Sequence, residues 1–128
     1  MTTELRNSFD TEAVNVRNVS ASFSEGHLTR PKSGKALGKF AKAVINRYGL
    51  KGSFWRGKSS RQRKNSAVRS VQLWNEPNLP QYLNPQYTEG SNKQLSGDHY
   101  RQMLNAFHAG VKQAGSGAAV IAGATAPF

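Results

Sequence analysis

The stretch Ala118–Ala126, AAVIAGATA, has no charge and no alternation of apolar with polar side chains. It is far shorter than the about 20 apolar residues that cross a bilayer. A short apolar run without alternation reads as a strand buried on both faces, which is how parallel strands look. Parallel neighbours cannot be joined by a tight hairpin. They need a crossover, and the crossover is usually a helix. The run therefore demands helices and at least one more strand earlier in the chain.

Both are legible. Leu37, Phe40, Ala41, Val44, Ile45 and Tyr48 recur at the i, i+3, i+4, i+7 spacing of a helix with one buried face. Lys35, Lys39 and Lys42 fall off that stripe, and Gly49 can close the helix. A second stripe runs through Tyr100, Met103, Leu104, Phe107, Val111 and Ala114, with Ser96 as the expected cap and Gly115 as the stop. The spacing predicts helices over 33–48 and 97–114. Between them, AVRSVQLW reads as a strand over 68–74, with Val71 and Leu73 on one side and Gln72 on the other. The final apolar run predicts a parallel strand over 118–124.

Val14, Val16, Val19, Ala21 and Phe23 allow an earlier strand whose phase slips once. Residues 1–12 are polar and read as loose, and residues 1–30 form a separate N-terminal segment before a domain over 31–128. Residues 50–66 read as a long basic loop. Pro77, Pro80 and Pro85 exclude a regular element between the strand and the second helix. The order (β)-α-β-α-β gives an α/β fold with a parallel sheet and right-handed connections.

Charge bounds the function. The chain carries a formal net charge of +11 and no cysteine. Disulfides, thiolate metal sites and cysteine nucleophiles are thereby excluded. So strong a positive balance favours contact with nucleic acid or other anions. His27, His99 and His108 lack the spacing of a metal site, and no cofactor is implied.

One carboxylate stands out. Glu76 is the only acidic residue between Gly26 and Thr88, and it follows directly on the predicted strand. It lies within LWNEPN, Leu73–Asn78. This motif resembles the Asn-Glu-Pro signature of the (β/α)8-barrel glycoside hydrolases, the family 39-like and family 5 cellulase-like enzymes. RYGLKGSFW, from Arg47, resembles the end of their third helix, and AVIAGATAP, from Ala119, resembles their fifth strand. The resemblance spans about residues 36–127.

The resemblance implies a partial TIM barrel, about strands three to five with their helices. It implies a retaining glycosidase with Glu76 as general acid/base and Asn75 holding the sugar 2-hydroxyl. Trp74, Trp55 and Tyr82 are aromatic side chains of the type that stacks on sugar rings. The implied partner is a carbohydrate. In the family the nucleophile is a Glu on the seventh strand, and the sequence stops after what would be the fifth. The chain thus reads as a truncated barrel, inactive alone. It shows neither a secretory signal nor a membrane span, so it reads as cytoplasmic as written, although relatives of this type are often secreted.

Cations beside a carboxylate favour its ionised form. A lone Glu76 beside the cations from Lys51 to Arg69 would therefore be a poor proton donor. That stretch supports the competing class, a basic nucleic-acid-binding module with Phe54 and Trp55 beside its phosphate contacts. On that reading binding is weak, sequence-independent and salt-dependent.

Overall fold

The computed structural model describes residue 31 and residues 33–127, and the N-terminal strand expected over 14–23 lies outside them. The first helical stripe folds as α1, Gly34–Tyr48, and the second as α3, Ser96–Gln113. Their apolar faces meet. Leu37, Ala41 and Ile45 of α1 and Met103, Phe107 and Val111 of α3 are all buried in one core cluster.

Glycine sets how closely the two helices approach. A Cβ placed on Gly110 would lie 1.9 Å from the Gly38 carbonyl oxygen, and one placed on Gly38 would lie 2.6 Å from the Ala106 carbonyl. Both are far inside van der Waals contact, so the crossing exists only because neither residue has a side chain. Neither glycine interrupts the apolar stripe, so the periodicity gave no hint of this contact.

The predicted strands fold as β1, Ser70–Leu73, and β2, Ala119–Ala122. They pair in parallel, with Val71 opposite Val120 and Leu73 opposite Ala122. Side chains alternate across a strand, so Val71, Leu73 and Val120 share the face that packs on the helices. Ser70, Gln72, Ala119 and Ile121 share the other face, and all four are exposed. β2 was expected to be buried on both faces. Its Ile121 is instead 48% exposed, because α1 and α3 cover one side of the sheet and no described residue covers the other.

Two further expectations change. The stretch 50–66 is not loop throughout: it contains a 3-10 turn, Ser53–Trp55, and a short helix α2, Ser60–Ser66. α2 opens on a capping box. The Ser59 hydroxyl accepts from the Gln62 N–H, and the Gln62 side chain accepts from the Ser59 N–H. The Ser-x-x-Gln signature was present in the sequence, but no apolar stripe follows it. Ser96 does not cap α3. Leu95 holds that position, while the buried Ser96 hydroxyl donates to Gln86 Oε1 at 2.8 Å.

Gln86 organises the segment between β1 and α3, which has no regular element. Its side-chain amide donates to the carbonyls of Pro77 and Leu83, and its own carbonyl accepts from Leu95 and Ser96. Leu83, fully buried, plugs the segment into the core. A polar hub and one apolar anchor thus do what a helix or strand does elsewhere.

Candidate functional site

In a parallel sheet the strand ends that point the same way form one rim, and ligand sites gather at the C-terminal rim. Here that rim is made by the residues after Leu73 and after Ala122. Three sets of bonds join them. The Glu76 N–H donates to the Ala124 carbonyl at 2.9 Å. The Asn78 side chain takes both backbone groups of Ala126, donating to its carbonyl and accepting from its N–H, each at 3.0 Å. The Tyr100 hydroxyl donates to the Leu73 carbonyl at 3.3 Å and accepts from the Gly123 N–H. Gly123 permits this closeness, since a Cβ there would lie 2.9 Å from the carbonyl oxygens of Leu73 and Trp74.

The backbone at the rim is unusual. Trp74 has φ +60° and Glu76 φ +45°, and they are the only non-glycine residues with positive φ among the described residues. Left-handed backbone costs an L-residue about 1–2 kcal/mol, so it persists only where surrounding bonds over-determine it. The bonds to Ala124 and Ala126 do so. Glu76 is half-buried, and its carboxylate forms no ion pair or hydrogen bond with a described residue.

The other named residues divide between the two ends of the sheet. Asn75 is exposed on the rim between the two left-handed residues. Trp74 packs against the core, and its indole N–H donates to the Tyr82 carbonyl at 2.8 Å. That bond, to the Tyr82 backbone, ties the two residues, and Tyr82 is 40% exposed. Trp55 does not join them. Its indole N–H donates to the Tyr48 carbonyl, which also accepts from Val68, two residues before β1 begins. Trp55 thus sits at the N-terminal end of the sheet, about 13 Å away by strand rise alone.

The basic stretch lies at that same N-terminal end, because it leads into β1. Neither of the other described carboxylates bonds to a rim residue. Asp98 pairs with Arg101 at 3.0 Å on the surface of α3, and Glu89 is exposed in the turn before the Tyr87–Gln94 bridge closes. Among the described residues no three His, Asp or Glu side chains converge as a metal site.

Asn78 and Tyr100 are the rim residues that sequence reasoning missed. Asn78 stands two residues past Glu76 in a proline-rich stretch, where asparagine is an ordinary turn former. Tyr100 sits within the apolar stripe of α3 and reads as core. The contacts of both depend on the sheet register. Compared with known proteins, the chain matches no family model, no curated sequence and no solved structure.

Proposed function

We propose that residues 31–128 are part of a (β/α)8 barrel of a retaining glycoside hydrolase, with Glu76 as its general acid/base. The observation that carries this reading is the backbone of Glu76. A carboxylate is held in left-handed conformation at the C-terminal rim of a parallel sheet, half-buried and without an ion pair among the described residues. Strain of this kind collects at functional sites, and a glycosidase barrel places its acid at that rim.

Each residue has a role in the proposal. Glu76, protonated, gives its proton to the glycosidic oxygen as the bond to the anomeric carbon breaks. A second carboxylate attacks that carbon from the opposite face. Glu76, now ionised, then takes a proton from the water that releases the sugar. Asn75, exposed beside it, offers both a donor and an acceptor to the 2-hydroxyl. Trp74 and Tyr82, tied through one hydrogen bond, flank the sugar. The two carboxylates of a retaining site stand about 5 Å apart. Neither Asp98 nor Glu89 fills the second role, so the nucleophile comes from a strand outside the described residues.

The test joins the chain to the remaining barrel strands of a resembling enzyme. The 128-residue chain alone should hydrolyse aryl glycosides little or not at all, and the joined barrel should do so. Glu76→Gln in the joined barrel should lower kcat/KM for unactivated glycosides by roughly 100- to 10,000-fold. A dinitrophenyl leaving group, which needs no proton, should recover most of the glycosylation rate. Equal hydrolysis of unactivated glycosides by the Gln variant would sink the proposal.

A further inference from the structure

We propose that the connection between α1 and β1 is a binding surface for single-stranded nucleic acid, with Phe54 as its stacking platform. This surface lies at the opposite end of the sheet from Glu76, so it stands or falls independently of the glycosidase reading.

The electrostatics come first. From Arg47 to Arg69 the chain has eight cations and no acid. All eight are exposed, and none pairs with a carboxylate among the described residues. Like charges this dense repel one another, and the repulsion is relieved when a polyanion binds. Yet the stretch is ordered by local bonds. Arg61, Arg63 and Lys64 are displayed on α2, which the Ser59–Gln62 capping box begins. The Arg69 guanidinium donates to the Lys64 carbonyl at 2.9 Å and closes the segment.

Aromatic geometry then selects the kind of polyanion. Phe54 is 41% exposed, with its ring 5.4 Å from Tyr48 and 4.9 Å edge-on to Trp55. The Trp55 N–H bond to Tyr48 fixes this group in place. Lys58 Nζ stands 5.6 Å from the Phe54 centroid, and the Arg47 guanidinium 5.5 Å from that of Tyr48. Rings with cations beside them match a strand whose bases stack while its phosphates pair. A sulfated sugar or polyphosphate has no base to stack. An anionic bilayer asks for an apolar face to insert, and α2, SRQRKNS, has no apolar side chain.

The full 128-residue chain would be titrated against a fluorescent oligo(dT) 20-mer by anisotropy, from 50 to 200 mM salt. Each phosphate neutralised on a single strand contributes about −0.7 to the slope of log K against log salt. Four contacts therefore predict an affinity loss of about 50-fold over that range. Phe54→Leu keeps the apolar bulk and removes the ring. It should weaken binding about tenfold at unchanged slope, with Phe54→Trp restoring it. Replacing Arg61, Arg63 and Lys64 by Gln should flatten the slope by about 2. Thermal melts of each variant check that the fold persists. The proposal is overturned if the chain does not bind oligo(dT) at 50 mM salt. It is also overturned if Phe54→Leu binds like the parent, if heparin binding falls equally in that variant, or if anionic vesicles compete as well as the oligonucleotide.

Discussion

The two ends of the sheet solve the same backbone problem in opposite ways. At the N-terminal end every left-handed turn falls on glycine: Gly57, φ +75°, in the connection into β1, and Gly115 and Gly117, φ +65° and +73°, in the connection into β2. At the C-terminal end it turns left-handed twice within three residues and uses Trp74 and Glu76. Every other positive φ among the described residues belongs to a glycine. The bonding differs in the same sense. At the basic end the side chains bond within the connection, Trp55 to Tyr48 and Arg69 to Lys64, and the long-range bonds, Val68 to Tyr48 and Ala119 to Arg69, are backbone ones. The acidic end is held by Asn78 reaching 48 residues along the chain to Ala126. On the two functions proposed above, the costly conformation, held by long-range side-chain bonds, stands at the end that needs a particular side chain, and the cheap one at the end that needs charge and a ring.

The largest expected effect in this comparison comes from Asn78→Ala. Two partly buried hydrogen bonds are lost, each worth about 1 kcal/mol net, and the Ala126 backbone groups lose their partner. The cost should be about 2 kcal/mol. That is a fall of roughly 8 °C in Tm for a chain of this size. Hydrogen exchange should rise at Glu76 and Gly123, at both sides of the rim, while α2 stays protected. A loss confined to residues near Asn78 would show that the rim is not a single unit.

Ser59→Ala is the matching cut at the basic end. It removes the hydroxyl half of the capping box, and cap losses typically cost about 1 kcal/mol. The expected fall in Tm is about half that of Asn78→Ala. Exchange should rise only within α2, because the hydrogen bonds of that helix stay within the basic connection. Faster exchange at Glu76 in this variant would join the two ends and break the comparison.

These contrasts explain what the sequence could and could not reveal. The two long helices and the two parallel strands follow from periodicity, which is local, and they fold within two residues of where the pattern puts them. Glu76 was conspicuous because it is one acid among many cations. Asn78, Tyr100 and Gly123 were silent, because each acts on a backbone group more than twenty residues away. Leu83 was silent for a related reason. It lies in a proline-rich stretch that no period describes, and only the Gln86 hub turns it inward. The exposed face of β2 was misread because an apolar run announces burial without naming what does the burying.

The smallest expected effect tests the backbone contrast directly, and it has the opposite sign. Glu76→Gly should raise stability. Left-handed backbone costs an L-residue about 1–2 kcal/mol, and glycine does not pay it. Glycine also gives the unfolded chain more freedom, which offsets about 0.5–1 kcal/mol. The net gain is about 0.5–1 kcal/mol, or roughly 2–4 °C in Tm. Glu76→Ala separates strain from chemistry. It removes the carboxylate but keeps the Cβ, so the strain remains and no such gain is expected. Gly57→Ala is the mirror image. A Cβ there meets nothing within 4 Å, so its cost is conformational alone, about 1 kcal/mol. A stable Glu76→Gly variant that loses turnover of unactivated glycosides in the joined barrel fits a residue kept for its carboxylate against the preference of its backbone. If Glu76→Gly and Glu76→Ala shift Tm equally, the left-handed turn holds no strain, and the backbone of Glu76 no longer distinguishes it from an ordinary surface glutamate.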